Sequence, residues 1–233
     1  MTGTDTGVGK TLVAGGIAHI LASKGLRVGV FKPIATGCRA QKGKLISEDA
    51  EFLAKCAKCF LGLSVINPIS YLTPAAPIVS SMVEKRPIDY GRIESAYQYL
   101  CENSDVVIVE GIGGVRVPIS DCVDVLDIMQ DFGLAAVVVA RPNLGTINHT
   151  ILTIEGIRGA GLNLAGVVIS GCKSDASIAE KTAPQIISKC GNVKILLSVP
   201  FDEESNVEKG TLGKTIIDSL AQYDWGKLVG LGF

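Results

Sequence analysis

Short apolar runs alternate with longer amphipathic stretches along most of this chain. The apolar runs are rich in β-branched residues and predict buried strands at 27–33, 105–110, 135–140, 165–170 and 193–199. The amphipathic stretches predict helices at 12–23, 46–61, 88–103, 125–132 and 147–158. Strands that alternate with helices form parallel βαβ units. The pattern therefore predicts an α/β fold with a doubly wound, mainly parallel sheet, in a single domain over residues 1–233.

A glycine-rich loop stands directly before the first predicted helix. Its sequence is Gly3-Thr4-Asp5-Thr6-Gly7-Val8-Gly9-Lys10-Thr11. In such a loop the backbone N–H groups wrap a polyphosphate, the lysine contacts the outer phosphates, and the following hydroxyl ligates Mg²⁺. Thr4 stands where the usual spacing has the first glycine, so this is a variant P-loop. The competing interpretation is a glycine-rich turn before an ordinary helix.

Charged residues stand at the carboxyl ends of two predicted strands, where open α/β sheets bind ligands. Lys32 follows the first strand, and Glu110 follows the second and precedes a glycine cluster at 111–114. In a chain with a phosphate loop, a carboxylate at this place usually holds Mg²⁺ or its water. The alternative for both residues is an ordinary solvated charge. Asp49, in the first turn of a predicted helix, is either a ligand or a partner of the helix dipole.

We expect the strand that should lead into the phosphate loop to be missing from this chain. Only Met1 and Thr2 precede the loop. About five buried aliphatic residues at roughly 1.5–3 kcal/mol each contribute as much as the whole stability of a domain, about 5–15 kcal/mol. We therefore expect the true start of the chain to lie upstream. The apolar tail at 228–233 is an alternative source of a strand, although its glycines make it a poor one.

Composition and charge narrow the class of function. A formal net charge of −1 with 22 basic residues gives no electrostatic footprint for nucleic acid or an anionic membrane. The longest apolar run, at 134–140, is too short to cross a bilayer, and no signal-peptide pattern opens the chain. Seven scattered cysteines suit reduced thiols, and Cys56 and Cys59 lack the second pair of a zinc site. We therefore expect a cytoplasmic enzyme that acts on small molecules.

Blocks with motif-like spacing run through most of the chain, at 2–11, 32–33, 36–37, Asp49, 67–68, 109–114, 118–121, 144–149 and 164–166. In this order they resemble the dethiobiotin synthetase family of biotin biosynthesis. The resemblance implies a P-loop NTPase-type fold and an ATP- and Mg²⁺-dependent cyclo-ligase. One amine of 7,8-diaminononanoate would take up CO2 as a carbamate, and the γ-phosphate of ATP would activate it as a carbamic–phosphoric anhydride. The second amine would then close the cyclic urea, giving dethiobiotin, ADP and phosphate.

The resemblance also implies roles for individual residues. Lys10 and Lys32 would be catalytic through their charge, and Thr11, Asp49 and Glu110 would hold Mg²⁺. The diamine would be bound by Thr6, Thr36, Leu144, Gly145 and Asn148, the last three in a segment that reaches across a two-fold homodimer. The nucleotide would be bound by Gly7, Val8, Gly9, Lys10, Thr11, Leu12, Asp49, Glu110, Gly111, Ile112, Gly113, Ser170, Gly171, Pro200, Phe201 and Asp202.

Several alternatives stay open at this point. Thr146 and Asn148 would otherwise only cap their own helix. Ser170 and Gly171 stand where the family often has asparagine followed by an acid that binds adenine, which leaves the base specificity open. The stretch 172–175 weakly resembles the guanine-binding motif of GTPase switches, although it lacks asparagine. A partitioning-type or septum-site ATPase has a similar fold, but its loop carries a lysine where Asp5 stands.

Overall fold

The computed structural model describes residues 1–230, in which strands and helices alternate. The strands are β1 (Thr2–Gly3), β2 (Val28–Phe31), β3 (Ile34–Ala35), β4 (Arg39–Gln41), β5 (Lys44–Ile46), β6 (Ile69–Ser70), β7 (Val106–Val109), β8 (Pro118–Ser120), β9 (Val123–Asp124), β10 (Ala136–Ala140), β11 (Leu164–Cys172) and β12 (Ile195–Pro200). The helices are α1 (Lys10–Ser23), α2 (Glu48–Ala57), α3 (Leu63–Ile66), α4 (Pro77–Val83), α5 (Tyr90–Asn103), α6 (Val125–Asp131), α7 (Thr146–Gly159), α8 (Ile178–Gly191) and α9 (Lys214–Leu220), and a 3₁₀ helix covers Trp225–Val229. Among the described residues, no helix combines the length and the apolar character needed to cross a membrane.

The central sheet is parallel, with β1 in the middle. β1 pairs with β10, which is followed by β11 and β12, while β2 pairs with β7. Met1 joins the two groups, because its amine donates to Val109 O at 2.5 Å and its carbonyl accepts from Gly111 N at 3.0 Å. The strands therefore lie side by side in the order β2-β7-β1-β10-β11-β12.

The strand before the phosphate loop is short rather than absent. Thr2 and Gly3 are buried and lie opposite Val138 and Val139 of β10. The expectation that this strand is missing is therefore wrong, because Thr2 and Gly3 form it. The alternative was that the tail at 228–233 supplies this strand. Leu228 instead lies in the 3₁₀ helix and packs against the core beside α1. Residues 231–233 lie outside the described part.

Helices cover both faces of the sheet. α1, α2 and α9 pack on one face, and α5, α6, α7 and α8 pack on the other. In β10, Val137 and Val139 belong to the first core and Val138 to the second. Successive side chains of a strand point to opposite faces, so a continuous β-branched run is stable only where both faces are covered. The predicted α/β fold with a mainly parallel sheet is confirmed.

Two glycines let α1 lie close to its neighbouring helices. A Cβ atom at Gly15 would lie 2.4 Å from Phe52 Cε1 of α2, and one at Gly16 would lie 2.3 Å from Leu220 Cδ1 of α9. No side chain fits at either distance without displacing its neighbour. The packing therefore fixes α1, and with it the phosphate loop, at the carboxyl edge of the sheet.

Some predicted boundaries differ from the structure. The helix expected over 46–61 is Glu48–Ala57, because the Ser47 side chain caps its start and Lys58 takes a left-handed φ of 49° after its end. The block at 67–68 directly precedes β6 (Ile69–Ser70). The block at 118–121 contains β8, which pairs antiparallel with β9.

Candidate active site

The phosphate loop, residues 4–9, connects β1 to α1. Gly7 and Gly9 have φ of 72° and 93°, in the left-handed region that favours glycine. A Cβ atom at Gly9 would also lie 2.6 Å from Ser170 Oγ. Gly9 is the N-cap of α1, and no described side chain caps this helix. The first N–H groups of α1 are therefore available to an anionic ligand.

Lys10 is buried beside this loop. Its Nζ donates to Asp5 O at 2.7 Å, and Asp5 Oδ2 pairs with Arg141 Nη2 at 2.6 Å. Burial and, after it, the charge of Lys32 lower the pKa of Lys10 to about 8. A phosphate group at the loop would favour the charged form of this lysine.

Four side chains meet next to the loop and form what we call the carboxylate–lysine cluster: Thr11, Lys32, Asp49 and Glu110. Lys32 Nζ lies 2.8 Å from Asp49 Oδ2 and 2.8 Å from Glu110 Oε1. Thr11 Oγ1 lies 2.8 Å from Glu110 Oε1 and 3.2 Å from Asp49 Oδ1. Lys32 and Glu110 are only 3% and 1% exposed, whereas the Asp49 side chain is 36% exposed. The cluster is thus a buried ion pair with one carboxylate open to the solvent side.

The register of the sheet brings Lys32 and Glu110 together. β2 and β7 are parallel neighbours with Phe31 opposite Val109, so the next residue of each strand emerges at the same edge. Glu110 N donates to Phe31 O at 2.8 Å and fixes this alignment. Thr11 and Asp49 come from the first turns of α1 and α2. The helix N-termini there also favour the negative charge of the cluster.

The charges in the cluster determine its protonation. Burial alone would lower the pKa of Lys32, but Glu110 and Asp49 outweigh it and raise the pKa above its usual range. Burial alone would raise the pKa of Asp49, but Lys32 outweighs it and lowers the pKa. The buried Glu110 Oε2 has no hydrogen-bond partner among the described residues. Two carboxylates and a hydroxyl are donors that Mg²⁺ accepts, so these residues fit such an ion.

A cavity of about 740 Å³ opens over the loop and the cluster. Twelve of its lining residues were expected at the site: Thr6, Gly7, Gly9, Lys10, Thr11, Leu12, Lys32, Thr36, Asp49, Glu110, Ile112 and Gly113. The other lining residues were not expected at the site and are mostly small or apolar: Ala35, Gly37, Cys38, Ser47, Glu48, Pro74, Ala75, Ala76, Pro77, Val117 and Val207. The sequence signals near this wall were the block at 36–37 and the prolines at 74 and 77. The cavity therefore joins a phosphate cradle to a largely apolar surface.

The remaining nucleotide-binding candidates are not among the residues that line this cavity. Val8 is buried in the core, and Gly111 O accepts from Lys32 Nζ at 3.3 Å. The other five stand at the carboxyl ends of β11 and β12: Ser170, Gly171, Pro200, Phe201 and Asp202. They do not line the cavity, although Ser170 approaches Gly9 of the phosphate loop.

Phe201 and Asp202 differ in how far they are available to a ligand. Phe201 is 56% exposed, and Lys173 Nζ lies 6.0 Å from the centroid of its ring. Asp202 Oδ2 accepts from Ser205 Oγ at 2.6 Å, and Gly213 packs beside this carboxylate. The ring of Phe201 thus offers a surface for a planar group, whereas Asp202 anchors the loop that follows β12.

The segment at the start of α7 does not line the cavity. Leu144, Gly145 and Asn148 are exposed, Leu144 to 90%. Gly145 is the N-cap with a φ of 95°, and no described side chain caps the helix. The alternative that Thr146 and Asn148 act as caps is therefore wrong. The buried Thr146 Oγ1 has no partner among the described residues.

The cysteines contribute no metal site to the described part of the chain. All seven are free, and the pKa of the buried Cys56 thiol is raised to about 11 by burial. Residues 1–230 contain no group of three or more His, Cys, Asp or Glu side chains arranged to hold a metal ion. Cys56 lies in the last turn of α2, and Cys59 follows two residues after the end of this helix.

Comparison with known proteins decides the family. A family profile described as an AAA domain matches residues 1–209. The ATP-dependent dethiobiotin synthetase of Thermodesulfovibrio yellowstonii is 39% identical over 227 residues, 93% of each chain. The chain belongs to the dethiobiotin synthetase family. The dethiobiotin synthetase of Methanocaldococcus jannaschii is 40% identical over 89% of this chain and 96% of its own, and that of Bacillus velezensis is 35% identical over 86% and 84%.

Solved structures with the same fold include more distant ATPases. The MinD cell division protein of Aquifex aeolicus covers all of this chain and 96% of its own, with a TM-score of 0.56 and 15% identity. A ParA family ATPase from Chlorobium tepidum covers 95% and 94%, with a TM-score of 0.57 and 13% identity. At this identity the similarity concerns the fold alone. It agrees with the α/β fold with a mainly parallel sheet that the sequence predicts.

Family membership confirms the resemblance found in the sequence and the class of enzyme expected from it, an ATP-dependent ligase of biotin synthesis. Partitioning-type ATPases share the fold with this chain, but the family shown for it is a different one. Individual residue roles and the cytoplasmic location remain predictions.

Proposed function

We propose that this enzyme converts 7,8-diaminononanoate, CO2 and ATP into dethiobiotin, ADP and phosphate. One amine forms an N–C bond to CO2 and loses a proton, giving a carbamate. A carbamate oxygen then attacks the γ-phosphorus, and the bond to the ADP oxygen breaks. The second amine attacks the carbonyl carbon, phosphate leaves, and a further proton is lost to close the cyclic urea.

The observation that carries this proposal is the position of the carboxylate–lysine cluster in one cavity with the phosphate loop and an apolar wall. The reaction joins two anions, the carbamate and the γ-phosphate. Positioning and charge compensation supply most of the rate in such a phosphoryl transfer. Lys10 and Lys32 supply two positive charges at the cavity, and the small residues at 74–77 suit the carbon chain of the diamine.

Thr11, Asp49 and Glu110 would hold Mg²⁺. Among these donors, the buried Glu110 Oε2 has no hydrogen-bond partner in the described residues and is available to the ion. When bound, the ion compensates charge on the outer phosphates of ATP. The loop residues at 7–12, together with 110–113, would bind the phosphates, and Ser170, Gly171, Pro200, Phe201 and Asp202 would lie along the ribose and base. Thr6 and Thr36 line the cavity and would contact the diamine end of the substrate.

The carboxylate of the substrate would bind at the start of α7. The uncapped N-terminus of α7 and the unpaired Thr146 Oγ1 support an anion site there. Because Leu144 and Asn148 are exposed and lie outside the cavity, we propose that this segment completes the site of a second subunit in a homodimer.

The dependence of ATP consumption on the diamine tests the proposed reaction. Purified protein with Mg-ATP and bicarbonate should release ADP rapidly only after 7,8-diaminononanoate is added. A regulatory ATPase of the same fold would release ADP slowly and equally with or without the diamine, and that result would refute the proposal.

A further inference from the structure

The cluster contains a cation that belongs to the protein itself. Lys32 Nζ contacts one oxygen of Asp49 and one of Glu110, each at 2.8 Å, and is nearly fully buried. Two neighbouring carboxylates repel each other strongly where water is scarce, and a buried carboxylate needs a compensating charge. Lys32 supplies that charge. The residues that fit Mg²⁺ are therefore already paired with a cation.

We propose that Lys32 is an exchangeable internal counterion: Asp49 and Glu110 are bound either by the Lys32 ammonium or by a divalent cation. Repulsion between an ammonium and a divalent ion at the same carboxylates disfavours simultaneous binding. When the carboxylates take the ion, the ammonium of Lys32 leaves them and turns into the cavity that it already lines. The proposal rests on the proposed function only for the identity of the ion as Mg²⁺.

The chain supplies a route for this exchange. Asp49 is 36% exposed at its side chain, so an ion enters the cluster from the cavity side. Glu110 Oε2 offers a buried oxygen that Lys32 does not use. Thr11 Oγ1 contacts both carboxylates and keeps them near each other while the cation changes. The exchange consequently couples metal binding to the delivery of a positive charge into the cavity.

Lys10 provides a matched control. It is also buried, lines the same cavity and carries the same charge, but its Nζ is bound by Asp5 O. Among the described residues it has no hydrogen bond or ion pair with Asp49 or Glu110. Loss of Lys10 therefore measures how a nearby positive charge that does not occupy the carboxylates affects metal binding. If Lys32 occupies the place of the ion, its loss should have a much larger effect than the loss of Lys10.

The test measures binding of Mn²⁺ alone, by electron paramagnetic resonance, to wild type, Lys32→Met and Lys10→Met. We expect Lys32→Met to bind Mn²⁺ about tenfold or more tightly than wild type, and Lys10→Met to stay within about threefold. Equal effects of the two substitutions, or unchanged or weaker binding by Lys32→Met, would overturn the proposal. No nucleotide or diamine is present, so the outcome is independent of dethiobiotin formation.

Thermal unfolding with and without Mg²⁺ keeps the test decisive if Lys32→Met is unstable. We expect Mg²⁺ to raise the melting temperature of Lys32→Met more than that of wild type, because the ion replaces the lost counterion. If Lys32→Met is unfolded alone, Mg²⁺ should restore a cooperative transition. Failure of Mg²⁺ to stabilise this variant more than wild type would show that the lysine is not exchangeable.

Discussion

At the scale of single residues, the two lysines near the phosphate loop differ in what binds their charge. Lys10 Nζ is bound by a neutral carbonyl, whereas Lys32 Nζ is bound by two carboxylates. Burial therefore dominates for Lys10 and lowers its pKa to about 8, while the carboxylates dominate for Lys32 and raise its pKa. Only Lys10 should change its charge in the mildly alkaline range.

Substitution of Lys32 by alanine should affect catalysis more than nucleotide binding. We expect kcat to fall by about 10²-fold or more, because the lost charge acts where negative charge develops. The dissociation constant for ADP should change little, since the loop and Lys10 remain. Steady-state kinetics measures kcat, and ADP titration measures the dissociation constant. Lys10→Ala is the control, in which we expect kcat to fall and ADP to bind more weakly. A weaker ADP affinity at unchanged kcat would contradict the assigned role.

The lowered pKa of Lys10 predicts proton uptake when ADP binds. The charged form of Lys10 is favoured by phosphate, so the bound pKa lies above the free value of about 8. At about pH 8.5 the free lysine is mostly neutral, and binding should take up as much as about 0.7 proton. Calorimetry in buffers of different ionisation enthalpy measures this number. If Lys10→Met takes up as many protons as wild type when ADP binds, the proton goes to another group and the prediction is wrong.

Among the secondary-structure elements, α1 packs through buried aliphatic side chains and also approaches its neighbouring helices closely at two glycines. Gly15 would place a Cβ atom 2.4 Å from the ring of Phe52. Gly156, in the middle of α7, would place one 3.8 Å from Leu126 and from Val115, an ordinary contact. Two glycines in helices of equal length therefore differ in the room around them.

This difference predicts opposite effects of the same substitution. Gly15→Ala should destabilise the protein by about 1–3 kcal/mol, because the methyl group overpacks against a stiff ring. Gly156→Ala should be neutral or stabilising by up to about 1 kcal/mol, through helix propensity alone. Chemical denaturation measures both changes. Equal effects of the two variants would show that the close approach of α1 and α2 does not determine the outcome.

The long elements were predictable because their patterns are strong, and the missed ones have weak or conflicting local signals. α8 was missed although Ser177 and Glu180 form a capping box at its start, since Pro184 lies inside the helix and argues against it. The turn between β4 and β5 has positive φ at Lys42 and Gly43, but lysine is not a usual residue there. These elements are stabilised by their tertiary context.

The charged residues of the site were predictable because they stand directly after strands with a strong pattern. Lys32 and Glu110 follow strands, and parallel strands present their carboxyl ends at one edge. The apolar wall at 74–77 belongs to a connection whose path depends on packing rather than on its own sequence. The pairing of Asp5 with Arg141 likewise joins residues that only the fold brings together.

At the scale of the whole molecule, the sheet places the phosphate loop at its centre and the start of α7 beside it. β1 and β10 are neighbours, and each continues at the carboxyl edge into one of these segments. The pairing of β1 between β7 and β10 could not be predicted, because a two-residue strand carries almost no pattern. The exposed start of α7 supports a site shared between subunits.

Complementation between two variants tests the shared site. Asn148→Ala should raise KM for the diamine with little change in nucleotide binding, and Lys10→Ala should disable the phosphate loop. If the sites are composite, a mixed dimer has both defects in one site and none in the other. Activity after subunit exchange should then exceed the sum of the separate variants. Activity no greater than that sum, with exchange verified, would mean that each subunit works alone.

The fate of labelled carbon tests the proposed reaction directly. The protein is incubated with Mg-ATP, ¹³C-bicarbonate and 7,8-diaminononanoate, and the products are analysed by mass spectrometry and ADP assay. We expect a cyclic urea that carries one ¹³C atom and forms together with one ADP per molecule. ADP formation without labelled cyclic urea, or labelled urea without ADP, would contradict the proposed reaction.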